Sequence, residues 1–194
     1  MQKNGKQPTG VIGLDAVIDG GYPSGSVVII NGSPLSGIDH IARQFWKVEG
    51  DGGIYLMIDS DVEEGMVDAR TLTPDAFPVY YQGRRIIIDS LSSLILNFGI
   101  DDALRCLLLA RKQAIRDEST IMFLLYNNIH KPEDENRIFR IFNNATHHRN
   151  FPSTITNQQS RRQNSGYHKK NKDKNRSCSR NTSKSTHFSK NGFL

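Results

Sequence analysis

Two cysteines are all that the 194 residues contain, and they stand in unlike surroundings: Cys106 in an apolar run, Cys178 in a polar one. Thiols so placed make no disulfide framework, and a reducing, cytoplasmic setting is the simpler expectation. Long apolar runs are missing too. None approaches the roughly 18–20 residues needed to span a bilayer, so no membrane span is expected. The first ten residues, MQKNGKQPTG, hold no apolar core of the kind a secretory signal carries. One sign of charge is nearly absent from the C-terminal segment. Between residues 147 and 194, Asp173 is the single acid among eleven Lys and Arg. That segment therefore carries about +10 and residues 1–146 about −5, so the overall +5 describes neither.

Residues 1–146 alternate between strand and helix patterns. Residues 14–18 fit a short helix closed by Gly20-Gly21, and Tyr22-Pro23-Ser24-Gly25 reads as a turn. Residues 26–31, SVVIIN, are a β-branched run suited to a buried parallel strand. GIYLMID at 53–59, RRIIID at 84–89 and TIMFLLY at 120–126 repeat the pattern. Helices are expected over 38–49, with Ile41, Ala42, Phe45 and Trp46 on one face, and over 133–144. A third spans 101–117, with Leu104, Leu107, Leu108 and Ile115 toward the core. Asp101 and Asp102 at its start and Arg111, Lys112 and Arg116 at its end suit the helix dipole. Glu63-Glu64 reads as a solvated helix start. The alternation implies an α/β domain over residues 1–146, a mostly parallel sheet flanked by helices. Residues 147–194 lack apolar periodicity and cannot bury enough surface to offset ordering entropy, so a disordered basic tail is expected there.

One segment carries the chemistry. The strand at 26–31 feeds a glycine-bounded loop and then a helix, an arrangement that aims backbone N–H groups at an anion. A nucleotide-binding loop of this kind reads G-x-x-x-x-G-K-[ST]. Here the eight positions are Gly32-Ser33-Pro34-Leu35-Ser36-Gly37-Ile38-Asp39. Both glycines are in place. Ile38 stands where a lysine would neutralise β- and γ-phosphates, and it supplies neither charge nor donor. Asp39 stands where a Ser or Thr would bind magnesium, and it repels an anion unless a metal lies between. Arg43, one turn on, is a candidate substitute cation. The bland reading is that Gly32 and Gly37 only turn a strand into a helix.

The neighbours of the loop add to it. Thr9-Gly10-Val11-Ile12-Gly13-Leu14-Asp15, the glycine pair Gly20-Gly21, the Pro23-Ser24-Gly25 turn and the following strand resemble the opening of KaiC-like domains of the RecA superfamily. Ala42-Arg43-Gln44-Phe45 resembles the family's A-L-Q-F. Arg85-Ile86-Ile87-Ile88-Asp89-Ser90 resembles its second nucleotide motif. The resemblance covers about residues 9–146 and implies a RecA-like P-loop fold that binds ATP and magnesium and often assembles into rings. By the same resemblance, Asp89 matches the aspartate that holds the magnesium or its waters. Asp59 matches the first of two acids that polarise the attacking water, and Ser60 replaces the second. Ile38, Asp39 and Ser60 all depart from the pattern where catalysis depends on it. The expectation is a degenerate site, a pseudo-ATPase with weak or absent hydrolysis and a regulatory or scaffolding role through protein contacts or self-association.

Two other readings stay open. One is an active ATPase using Arg43 or a neighbouring subunit's basic residue. The other is nucleic-acid binding through the basic tail, whose cations would neutralise phosphates. The tail also fits an inert solvated segment or an out-of-frame translation. The family expects an apolar last strand after Ala145-Thr146, and codons for His147-His148-Arg149-Asn150 read one base later can spell Ile-Ile-Glu-Ile. His40 and His130 have no partners at metal-ligand spacing.

Overall fold

A computed structural model of the chain describes residues 5–48, 52–146 and 154–156. Strand β1, Lys6–Gln7, pairs antiparallel with β2, Tyr22–Pro23, with helix α1, Ile12–Val17, between them in sequence. The expected turn at residues 22–25 is therefore half strand. Strands β3 (Ser26–Gly32), β4 (Ile54–Met57), β5 (Val67–Asp68), β6 (Arg85–Asp89), β7 (Thr120–Tyr126) and β8 (Thr154–Thr156) form one sheet. Their order is β5-β4-β6-β7-β3-β8, and every pairing is parallel. The helices are α2 (Ile38–Trp46), α3 (Leu91–Phe98), α4 (Ile100–Asp117) and α5 (Pro132–Thr146), with a 3-10 helix over Pro74–Tyr80. The protein is thus α/β, a parallel sheet flanked by helices, as the alternating pattern implied.

The sheet's interior is apolar on both sides because its central strands are buried on both faces. Side chains alternate along each strand, so parity decides the face. Ile29, Leu56, Ile86, Ile88, Ile121 and Phe123 pack with α3, α4 and the 3-10 helix. Val28, Ile30, Tyr55, Met57, Ile87, Met122 and Leu124 pack with Ile38, Ala42 and Phe45 of α2. We call these the α4 face and the α2 face.

Several expectations need correction. Leu108 and Ile115 do not face the core; they are 43% and 60% exposed. The buried stripe of α4 instead runs through Ala103, Leu107, Ala110 and Ala114, flanked by Leu104 and Cys106. Counting only large apolar residues rotates the expected face, because three of the fully buried positions are alanines. Glu63-Glu64 starts no helix; it lies in a turn. Strand β5 and the 3-10 helix had no clear periodic signal; α3 was not among the expected helices, although Leu91, Leu94, Ile95 and Phe98 recur at helical spacing. The α3 start is visible in retrospect, since the Ser90 hydroxyl accepts a hydrogen bond from the Ser93 N–H at 3.2 Å. The sheet also continues past residue 146, where Thr154–Thr156 lies parallel to Ile29, Ile30 and Asn31. The rest of the segment expected to be a disordered tail, including Cys178, lies outside the described residues. Among the described residues, no helix is long and apolar enough to cross a membrane.

Candidate functional site

Because the strands are parallel, the C-terminal ends of β3, β4, β6 and β7 lie along one edge of the sheet. Open α/β sheets bind ligands outside that edge. The glycine-bounded loop, residues 32–39, leaves β3 there and enters α2. Asp89 ends β6, and Asp59 follows β4 by two residues. Asp39, Asp59 and Asp89 each bear electrostatically on Tyr126, the last residue of β7. The fold therefore places the carboxylates that the sequence singled out at the same end of the sheet, without gathering three of them into a metal-holding cluster.

The loop is a closed turn. Both the N–H and the hydroxyl of Ser36 donate to the Ser33 carbonyl, at 2.9 Å and 2.5 Å. That N–H is satisfied within the turn and is not directed at a ligand. Ser33, Pro34 and Leu35 are exposed, Leu35 almost completely. The two glycines have separate local reasons. A Cβ on Gly32 would collide with the Ser36 hydroxyl and the Ile38 side chain, which fold back over it. Gly37 caps α2 with φ 77°, the left-handed conformation glycine adopts without cost. Ile38 is 3% exposed and belongs to the apolar cluster on the α2 face. The lysine position of the loop is thus filled by a core residue. Asp39 is partly exposed in the first turn of α2.

Asp89 is 4% exposed. Its Oδ2 accepts a hydrogen bond from the Tyr55 hydroxyl at 2.6 Å, and its Oδ1 accepts a longer one from Tyr126 at 3.4 Å. Register explains the first contact. Met57 pairs with Asp89 across β4 and β6, and Tyr55 lies two residues back on the same face. That step is about 6.6 Å along a strand, a length the tyrosine side chain spans. Burial raises the Asp89 carboxyl above its ordinary range; the Tyr55 hydrogen bond opposes this and the charge of Asp59 adds to it. Burial, followed by the Asp89 charge, pushes the Tyr55 phenol upward. Tyr55 is therefore a protonated donor at neutral pH. Neither tyrosine was singled out from the sequence. The available signal was a hydroxyl-bearing aromatic at the right parity in two otherwise apolar strands.

The remaining candidates are placed as follows. Asp59 and Ser60 are exposed, and the Ser60 hydroxyl donates to the Met57 sulfur at 3.2 Å. Arg43 forms an ion pair with Glu63, which Lys47 also approaches at 3.9 Å. The Arg43 charge still reaches Asp89 and Tyr55. In the opening segment, Thr9 donates its N–H to the Asp15 carboxylate at 2.8 Å, which ties the two ends of that motif together.

No family model matches the chain, and no curated protein matches it. What the residues can hold must therefore be judged from their chemistry. A magnesium nucleotide needs a cation at the β- and γ-phosphates, a hydroxyl on the metal and a carboxylate with free lone pairs. Here the first position is buried isoleucine, the second is an aspartate, and the third already accepts two phenol hydroxyls. Among the described residues, no three His, Cys, Asp or Glu side chains stand together as a metal site would need. The donor set does not fit magnesium–ATP in the manner the resemblance implies.

Proposed function

We propose that this protein is a RecA/KaiC-like domain with a degenerate nucleotide site, one that does not hydrolyse ATP and acts as a regulatory or scaffolding protein. The observation that carries this reading is Ile38: the loop frame is intact, but its lysine position is buried in the core. Asp39 supports it, because a carboxylate where the motif has a metal-binding hydroxyl repels a polyphosphate. The Arg43–Glu63 ion pair supports it further by engaging the nearest candidate cation. Protein contacts, including self-association into a ring, would then be the working surface. Calorimetric titration of magnesium–ATP into the full chain, beside a steady-state ATPase assay, tests the proposal. Neither heat of binding nor turnover is expected. A magnesium-dependent turnover that disappears in Asp89→Asn would overturn it.

The second reading, an active ATPase, is favoured by the reach of the Arg43 charge to Asp89. Turnover would then fall in Arg43→Ala, and it would rise with protein concentration if a neighbouring subunit completes the site. Nucleic-acid binding is favoured by the eleven cations beyond residue 146. A chain ended at residue 157 keeps β8, and it should lose all affinity for nucleic acid if the tail carries the binding.

A further inference from the structure

We infer that Tyr55 and Tyr126, by bonding to both oxygens of the buried Asp89, keep this carboxylate from holding a divalent cation and make it a clamp across three strands. The inference deepens the degenerate-site reading and rests on it for the frame formed by residues 32–39 and 89.

The geometry is specific. Tyr55 comes from β4, Asp89 from β6 and Tyr126 from β7, and these strands are consecutive in the sheet. One phenol serves each carboxylate oxygen, Tyr55 on Oδ2 and Tyr126 on Oδ1. A carboxylate offers about four lone-pair sites; the phenols engage one on each oxygen, and at 4% exposure the others are largely out of reach of an ion and its waters. Metal entry would require Tyr55, which is completely buried, to give up its short hydrogen bond. Tyr126 is anchored independently, since its backbone N–H donates to the Ser92 hydroxyl at 2.8 Å. The Ile58 N–H adds a further tie by donating to the Asp89 carbonyl at 2.7 Å. At the edge where a nucleotide site would open, the strands are thus held together by side chains that the same site would need free. The consequence is autoinhibitory in the simplest sense: the protein supplies the ligands of its own carboxylate.

The test uses the full chain and Mn²⁺, followed by electron paramagnetic resonance of the free ion. The wild type should show only weak background binding, unchanged in Asp89→Asn. The Tyr55→Phe/Tyr126→Phe variant should gain a site stronger by about 10-fold or more, and adding Asp89→Asn should remove it. Wild-type Mn²⁺ binding that is lost in Asp89→Asn would overturn the inference. So would a folded double-phenylalanine variant, checked by circular dichroism, that gains nothing. If the double variant does not fold, thermal melts of Tyr55→Phe, Asp89→Asn and their combination decide the matter. The clamp predicts a combined Tm loss well short of the sum, and strict additivity overturns it. Magnesium-free ATP titration of the wild type separates the two proposals. Nucleotide binding there contradicts the degenerate-site reading and leaves the Mn²⁺ result to judge the clamp.

Discussion

The α4 face and the α2 face of the sheet are made by the same strands with opposite parity, and they differ in kind. The α4 face is closed by aliphatic and aromatic side chains, and its polar contact is the neutral Tyr81 hydroxyl against the Cys106 sulfur at 3.4 Å. The α2 face is equally apolar in its middle but ends in Tyr55, Asp89 and Tyr126 at the C-terminal edge. Both faces bury a tyrosine; only one gives it a carboxylate. In a close-packed interior, volume is conserved on either side, so the difference lies in electrostatics. The α4 face needs shape, whereas the α2 face needs shape and a particular pairing of donor with acceptor.

Substitutions can break or sharpen that contrast. The largest effect is expected from Ile38→Lys, which places an unpaired ammonium against the α2-face cluster. Chemical denaturation should register a loss of roughly 3–5 kcal/mol. A loss under about 1 kcal/mol would mean the side chain escapes into the loop and that the position is less committed to the core.

Next come two of the buried tyrosines, Tyr55 and Tyr81. Tyr55→Phe leaves Asp89 without its short hydrogen bond and should cost about 1.5–3 kcal/mol, the range for bonds to charged groups. Tyr81→Phe removes a neutral contact to sulfur and should cost about 1 kcal/mol or less. Equal losses would erase the distinction between the faces.

The third prediction concerns pH. The folded carboxyl of Asp89 is raised above its ordinary 3.8, chiefly by burial. The folded state therefore prefers the neutral acid. Its contribution to stability is complete below that ordinary value and is lost as pH rises through the folded value. Asp89→Asn stays neutral throughout. Relative to wild type, its stability should improve as pH rises from about 4 into the neutral range. A gap that moves the other way would mean that the phenol donors outweigh burial.

The smallest effect is expected from Leu35→Lys. Leu35 is 98% exposed at the loop tip, and its replacement should change stability by no more than about 0.5 kcal/mol. Three positions away in one loop, the same new side chain is then tolerated or severely destabilising according to burial alone.

Much of the fold was legible because its signals are local. The runs SVVIIN, RRIIID and TIMFLLY gave strands within a residue or two of those observed, since β-branched and aromatic side chains suit a sheet buried on both faces. The face of α4 differs from the expected one because Ala103, Ala110 and Ala114 carry little hydrophobic signal yet are fully buried. Strand β5 has two residues and the 3-10 helix contains Pro78, so neither offers a period long enough to read.

The candidate site divides the same way. The positions of Gly32, Gly37, Ile38 and Asp39 were set out in the sequence by spacing and those of Asp59 and Asp89 by the resemblance, and strand ends in a parallel sheet must meet at one edge. Sequence by itself therefore determined the α/β alternation, the glycine-bounded loop between strand and helix, and the isoleucine and aspartate that follow it, because each depends on residues close together in the chain. Only the tertiary structure decided that Ile38 is buried, that Glu63 holds Arg43, and that Tyr55 and Tyr126 close on Asp89. Those contacts join residues 20 to 37 positions apart on different elements, and strand order and register, which no local pattern contains, bring them within reach.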